Sequence, residues 1–162
     1  MKICIIGSGY VGLVSGTCFS ELGNKVICVD NNKQKIENLK KGIIPIYEPG
    51  LEELILRNIK QKRLNFSTDV SSSIKNSDII FICVGTPTIK NSNKANLKYV
   101  YKVVTDIKKN LNKYKIIVTK STVPVTTGDQ IEKILTSKKN KIKFDVISNP
   151  EFLREGEAIR DF

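Results

Sequence analysis

Short apolar runs alternate with amphipathic stretches along the whole chain, and this alternation predicts its secondary structure. The runs are nearly continuous, as expected of strands that are buried on both faces of a sheet. We predict six strands, at 2–6, 25–29, 64–66, 79–84, 116–119 and 144–147. Apolar residues at helical spacing lie between them and predict helices at 11–22, 31–41, 52–59, 70–76, 97–111 and 127–135.

Strands and helices alternate from end to end without internal repeats, which is typical of parallel strands joined by right-handed crossovers. The pattern predicts an α/β fold: a doubly wound (Rossmann-type), mostly parallel six-stranded sheet with helices on both faces. The strand order expected for this class is 3-2-1-4-5-6. Length supports a single domain over residues 1–162.

Three local features are more specific predictions. The first helix should bury one face, and that face is made of Val11, Val14, Ser15, Cys18 and Leu22. Thr126 and Asp129 resemble a helix cap and its partner. The lysine-rich segment from Lys138 to Lys143 predicts a charged turn.

A glycine turn follows the first strand and opens the first helix. Gly7 permits a tight turn, Gly9 leaves room for a pyrophosphate to approach the backbone, and Gly12 lets the helix pack closely on the sheet. The second strand ends at Asp30, at about the spacing, roughly 20 residues, where a carboxylate accepts from ribose hydroxyls. A 2′-phosphate would meet this negative charge, so the pattern favours NAD over NADP. FMN or a bare phosphate is the alternative ligand.

Polar residues follow several of the predicted strands. In an open parallel sheet the carboxyl ends of the strands face one crevice, where ligands bind. Lys35 also lies close enough to Asp30 in sequence to reach a cofactor ribose or phosphate. The polar residues at these strand ends are Asp30, Thr86, Thr88, Ser121, Thr122 and Glu151.

Composition narrows the class of protein. The chain has 40% hydrophobic residues, 7% aromatic residues and a net charge of +11. No apolar stretch approaches the roughly 20 residues of a membrane span, and glycines interrupt the apolar start where a signal peptide would continue. We therefore expect a cytoplasmic protein that does not act on membranes. The charge is mostly lysine and lacks an arginine-rich motif for bases, so no nucleic-acid partner is expected; the alternative to solvated lysine faces is a basic surface that attracts an anionic substrate.

Cysteine and histidine usage excludes several chemistries. The four cysteines form no CxxC pair, so no metal site is expected, and buried free thiols in a reducing compartment are the simplest interpretation. The absence of histidine excludes Ser-His-Asp and Cys-His catalysis and dehydrogenases that use a histidine base.

Five motifs in order resemble the UDP-glucose/GDP-mannose dehydrogenase family. They are GSGYVGLVSG, PIYEPGL, VGTPT, KSTVPVTTG and NPEFLREGEAIRDF, and they extend over essentially the whole chain. The resemblance implies NAD-dependent oxidation of the C6 alcohol of a nucleotide sugar to a carboxylate, with UDP-glucose as the first candidate substrate. GDP-mannose and UDP-N-acetylhexosamines remain alternative substrates.

The resemblance also implies roles for individual residues. The cofactor would be held by Gly7, Gly9, Tyr10, Val11, Gly12, Asp30, Lys35, Thr86, Thr88, Thr122 and Glu155. The sugar nucleotide would contact Glu151, Phe152, Leu153, Arg154 and Glu155. The implied catalytic residues are Thr122, which can hold a water, and Glu151 and Glu155, either of which can act as a base.

Family members continue beyond this point with a linking helix, a cysteine nucleophile and a second nucleotide-sugar domain. We therefore expect the chain to be the cofactor half of such an enzyme, as a fragment or a split-gene product. Its expected partner is the missing C-terminal half or, in the intact enzyme, further copies in a homo-oligomer. An NAD-binding module without turnover is the second hypothesis. A hydroxyacid-type reductase is a third, against which NPEFLREG and PIYEPGL argue. The PIYEPGL loop itself is either a plain connector or functional.

Overall fold

The computed structural model describes residues 1–136 and 142–162 and contains a six-stranded sheet. All neighbouring strands are parallel, and their order is β3-β2-β1-β4-β5-β6, which confirms the predicted topology. The strands are β1 (Lys2–Ile6), β2 (Lys25–Val29), β3 (Leu64–Ser67), β4 (Ile79–Ile82), β5 (Lys115–Thr119) and β6 (Phe144–Ser148).

Helices connect the strands and cover both faces of the sheet. Most of them begin and end within a few residues of the predicted positions. They are α1 (Tyr10–Glu21), α2 (Lys33–Lys40), α3 (Leu51–Lys60), α4 (Val70–Asn76), α5 (Lys98–Asn110), α6 (Thr127–Leu135) and the short α7 (Ala158–Asp161).

Two apolar layers form because side chains alternate across each strand. In β1, Ile3 and Ile5 belong to the layer that packs against α1, α2, α3 and α7. Cys4 and Ile6 face the opposite layer, which packs against α4, α5 and α6. Burial on both faces explains why the strands are continuous apolar runs in the sequence. Among the described residues, no helix is long and apolar enough to cross a bilayer.

The predicted face of α1 is wrong at its end. Leu22 is 73% exposed and caps the helix, whereas Leu13, Gly16 and Thr17, outside the predicted face, are buried. The helix lies against the sheet on one side and against α3 and α7 on the other, so most of its circumference is covered. An amphipathic pattern predicts only one of these contacts.

Two further local predictions need correction. The strand predicted at 79–84 ends at Ile82, because the backbone of Cys83 and Val84 passes beside the glycine turn. Thr126 makes no side-chain cap at α6; its backbone is already helical, and the turn is closed instead by the Thr127 N–H donating to the Pro124 carbonyl at 2.9 Å. Most of the predicted charged turn at Lys138–Lys143 lies outside the described residues.

Candidate nucleotide-binding and acid–base site

The glycine turn between β1 and α1 is closely packed at two of its three glycines. Gly7 has a φ of +105°, and a Cβ built there would lie 2.5 Å from the Cys83 carbonyl oxygen. A Cβ at Gly12 would overlap the carbonyl oxygen of Gly7 and would lie 3.3 Å from a side-chain carbon of Ile5. These two glycines are therefore required by the fold itself.

Gly9 is different, because nothing in the fold requires glycine there. Its φ of −81° is accessible to any residue, and a Cβ built at this position meets no atom within 4 Å. The space is open toward the N-terminus of α1, where unpaired N–H groups and the helix dipole favour an anion. A phosphate that approaches the backbone closely explains a glycine here.

Asp30, at the end of β2, is fixed beside this turn by three hydrogen bonds. Its Oδ2 accepts from the Ser8 N–H at 3.1 Å and from Lys35 Nζ at 2.8 Å, and its Oδ1 accepts from the Asn32 N–H at 3.0 Å. Burial opposes ionisation, but these donors outweigh it and hold the pKa of Asp30 below its usual value. A carboxylate has about four acceptor sites, so one remains for a ribose hydroxyl.

These features fit a dinucleotide. The backbone at Gly9 is open to a pyrophosphate, since a Cβ there meets no atom within 4 Å. The ionised Asp30 follows β2, at the position where ribose hydroxyls bind in folds of this class. Lys35, predicted to contact the cofactor directly, forms an ion pair with Asp30 and helps to lower the pKa of that carboxyl group. Tyr10 and Val11 form the first turn of α1 and are half-buried.

The turns that follow β4 and β5 meet at the same edge of the sheet. Thr86 Oγ1 donates to the Thr122 carbonyl oxygen at 2.9 Å, and Ser121 Oγ donates to the Val84 carbonyl oxygen at 2.6 Å. The structure therefore brings Thr86 and Thr122 together, as the sequence predicted. Thr88 lies further out on an exposed loop, where it bridges to Ala95.

Glu151 follows β6 and lies close to the end of β4. Its Oε1 accepts from the Leu153 N–H at 2.9 Å, and its charge acts on the buried thiol of Cys83. Lys120 is also near this thiol and donates to Asn149 Oδ1 at 3.3 Å. Lys120 and Asn149 were not predicted as site residues; their only sequence signal is their position beside Ser121 and Pro150 in two of the motifs.

Glu48, in the PIYEPGL loop, is the most consequential residue that the sequence prediction missed. It is 5% exposed and accepts three hydrogen bonds: from the Tyr10 hydroxyl at 2.6 Å, the Gly156 N–H at 2.8 Å and the Ala158 N–H at 2.9 Å. The Tyr10 hydroxyl and the two amides outweigh desolvation and lower the pKa of Glu48. Burial and the Glu48 carboxylate in turn raise the pKa of Tyr10, and the charge of nearby Glu155 raises it further.

Phe152 and Arg154 stay predicted substrate contacts, and the structure shows what surrounds each of them within the chain. Phe152 is 81% exposed. Arg154 forms an ion pair at 2.6 Å with Asp161, which also accepts from the Arg154 N–H at 3.1 Å. These contacts fold the segment 154–161 into a closed turn. Among the described residues, no group of three or more acidic, cysteine or histidine side chains is arranged to hold a metal ion.

A comparison with known families accounts for this arrangement. Residues 1–162 match the NAD binding domain of the UDP-glucose/GDP-mannose dehydrogenase family. The chain belongs to this family. As its NAD binding domain, the chain takes NAD as cofactor, in agreement with the open turn at Gly9 and the ionised Asp30.

Sequence relatives within the dehydrogenase family are close. The chain is 55% identical over 161 residues to a UDP-glucose 6-dehydrogenase of Bacillus subtilis. The aligned region covers 99% of this chain and 35% of that protein. It is 51% identical over 162 residues to a UDP-glucose 6-dehydrogenase of Rhizobium meliloti, covering 100% of this chain and 37% of that protein. The chain thus spans about a third of the length of the curated relatives it matches.

Solved structures of the family have the same fold. A UDP-glucose dehydrogenase from Pyrobaculum islandicum superposes with a TM-score of 0.93 at 36% identity, over 99% of this chain and 38% of that one. A GDP-mannose dehydrogenase of Pseudomonas aeruginosa, determined as a ternary complex, gives a TM-score of 0.90 at 40% identity, over 99% of this chain and 38% of that one.

Proposed function

We propose that this chain is the cofactor-binding part of an enzyme that oxidises UDP-glucose to UDP-glucuronate with NAD⁺. The observation that carries the proposal is a contact between the glycine turn and the segment 151–161, which we call the acid segment because it contains Glu151 and Glu155. Glu48 holds Gly156, the residue after Glu155, against Tyr10 at the start of α1. The carboxylate of Glu155 is thereby kept near Tyr10, beside the turn where we place the dinucleotide.

The cofactor, when bound, supplies a hydride acceptor. The alcohol must lose a proton as well as a hydride, and the further oxidation of the aldehyde to a carboxylate requires a water. Glu151 is our proposed base, because it follows β6 and its charge acts on Cys83, which comes directly after β4. Thr122, on the exposed turn after β5, is proposed to position a water, and Glu155 to contact both the cofactor and the sugar.

UDP-glucose is the proposed substrate because the relatives at 55% and 51% identity are UDP-glucose 6-dehydrogenases. The substrate needs further binding groups, which we assign to a second polypeptide segment or a second subunit. A reducing compartment, the cytoplasm, agrees with four free and buried cysteines, all of which lie among the described residues.

The test adds a polypeptide that contains the remainder of a related enzyme. The chain is mixed with the polypeptide that corresponds to the remainder of the Bacillus subtilis relative, and NADH formation is followed by absorbance with UDP-glucose or GDP-mannose. We expect turnover with UDP-glucose that falls by at least about 100-fold in Glu151→Gln, the usual size of a lost general base. Preference for GDP-mannose would overturn the substrate assignment. NAD⁺ binding without turnover, in a complex shown to assemble, would favour a binding module instead.

A further inference from the structure

Glu48 joins two parts of the chain that carry different functions. One of its partners, Tyr10, is the first residue of α1 and belongs to the cofactor turn. The other partners are the backbone N–H groups of Gly156 and Ala158, which flank the turn between Glu155 and α7. A single carboxylate therefore contacts both the cofactor side and the acid side of the site.

The geometry requires a carboxylate at this position. Three donors converge on its two oxygens, and only an ionised carboxyl group accepts at both. The side chain is 5% exposed, and a buried charge is retained only where hydrogen bonds compensate its desolvation. A plain connecting loop has no need for a buried glutamate that accepts three hydrogen bonds.

Apolar contacts support the same docking but do not set its register. Ala158 is fully buried, and Phe162 packs edge-on against Phe19 of α1 with ring centroids 4.9 Å apart. Apolar burial is less directional than a hydrogen bond, so it does not by itself fix the register of α7. The two hydrogen bonds from Gly156 and Ala158 fix where the segment lies along α1.

We propose that Glu48 is a positioning residue that locks the acid segment, and Glu155 with it, to the first turn of α1. The consequence for binding rests on the proposed function, since it concerns the nicotinamide half of NAD⁺. In a doubly wound sheet the two halves of a dinucleotide bind on opposite sides of the central crevice. The adenosine half belongs to the Asp30 side, so the acid segment after β6 adjoins the nicotinamide half.

The first test measures amide exchange by NMR in the chain and in Glu48→Gln. A glutamine presents an NH₂ group to one of the two amides, which then loses its acceptor. We expect exchange at Gly156 or Ala158 to accelerate by about tenfold or more, as for local opening without global unfolding. The matched control is Glu52→Gln, which neutralises an exposed glutamate in the first turn of α3. Unchanged exchange in Glu48→Gln would overturn the proposal.

A second variant tests the link from its other side if Glu48→Gln melts too low to be studied. Gly156 has a φ of +89°, and a Cβ there meets no atom within 4 Å, so Gly156→Ala introduces backbone strain without a clash. We expect it to displace the Gly156 N–H from Glu48 and to accelerate exchange at Ala158. Exchange at Ala158 equal to that of the unmodified chain would contradict the proposal.

The third measurement separates positioning from general stability. Calorimetry compares NAD⁺ with ADP-ribose, which lacks the nicotinamide. Glu48→Gln should weaken NAD⁺ binding by about threefold to tenfold, the size of one hydrogen bond, and leave ADP-ribose binding unchanged. Equal weakening for both ligands would indicate a merely structural role and overturn the proposal. If the unmodified chain binds neither ligand, the proposed function fails, while the exchange measurement still decides the role of Glu48.

Discussion

Asp30 Oδ2 accepts a hydrogen bond from the backbone N–H of Ser8 at 3.1 Å. This contact ties the end of β2 to the middle of the glycine turn, so the carboxylate and the phosphate-binding turn keep a fixed relation. Lys35 and the Asn32 N–H complete the set and, against the effect of burial, keep Asp30 ionised. We therefore expect this fixed carboxylate to favour a ribose diol and to repel a phosphate placed at the same point.

Asp30→Ala should narrow the preference for NAD⁺ over NADP⁺. The substitution removes an acceptor for the ribose hydroxyls and leaves Lys35 without its partner, free to attract a 2′-phosphate. The loss for NAD⁺ is expected to be roughly 1.5–3 kcal/mol, as for a hydrogen bond to a charged group, and calorimetry with both cofactors measures it. Asp78→Ala is the control, because Asp78 likewise holds a lysine, Lys113, and a backbone N–H. Equal or stronger NADP⁺ binding by the unmodified chain would contradict the prediction.

Gly9→Val should abolish NAD⁺ binding while leaving the fold intact. The open space over Gly9 accepts the side chain, which then occupies the place of the pyrophosphate. Gly12→Val should instead destabilise the fold and lower the melting temperature strongly, because a Cβ at this position overlaps the Gly7 carbonyl oxygen. Thermal melts and NAD⁺ titrations of the two variants distinguish these effects. Normal NAD⁺ binding by a folded Gly9→Val variant would show that this turn is not the phosphate site.

The strands and their order were predictable because burial on both faces leaves a strong local signal. The apolar runs in β1, β4 and β5 cannot be solvent-exposed, and alternation with helices restricts the connections to right-handed crossovers. The glycine turn was predictable because the spacing of Gly7, Gly9 and Gly12 after a strand is itself a local pattern, although the atoms that exclude a side chain at Gly7 belong to the distant Cys83. The sequence did not predict the role of a residue whose contacts lie in distant parts of the chain.

Glu48 is the clearest example of such a failure. Nothing near it in sequence indicates that its partners lie at Tyr10 and beyond Glu155. Lys115 is another, since it begins an apolar strand and is fully buried, with its Nζ donating to the Ser77 carbonyl oxygen at 2.5 Å at the end of α4. The substrate contact of Arg154 stays a prediction, whereas its ion pair with Asp161, across the turn at Gly156, had no local signal in the sequence.

Acid should loosen the segment 154–161 through Asp161 and release it from α1 through Glu48. Hydrogen bonds and the charge of Arg154 lower the pKa of Asp161 from 3.8 to about 2, and the Tyr10 hydroxyl lowers that of Glu48. A lowered pKa in the folded state means that the stabilisation is present above the ordinary value and is lost as pH falls through the folded value. For Asp161 the loss falls between pH 3.8 and about 2. NMR signals of Gly156 and Ala158 report the release, with far-UV circular dichroism monitoring the rest of the fold.

Asp161→Asn provides the control for acid release. The neutral side chain cannot pair with Arg154 as an ion, so the part of the transition due to Asp161 should be absent, while the part due to Glu48 remains. Because the Arg154–Asp161 pair is largely exposed on the arginine side, added salt should also weaken it. Signals of Gly156 and Ala158 that stay unchanged to pH 2 would contradict the prediction.

The chain alone should not oxidise UDP-glucose. The reaction removes four electrons, so the aldehyde must be held between two hydride transfers, which a thiolate accomplishes covalently. The thiol nearest the site, Cys83, is buried, and its pKa is raised to about 12, chiefly by desolvation, so it stays protonated at neutral pH. In the proposed site, Thr122, Glu151 and Glu155 would form only one wall for the sugar, and poor positioning is costly for hydride transfer. NADH absorbance after mixing the chain with NAD⁺ and UDP-glucose is the measurement, and we expect none above background. Steady turnover that disappears in Glu151→Gln would mean that this domain is a complete dehydrogenase, whereas turnover that requires added second-half polypeptide would support a site shared between two parts.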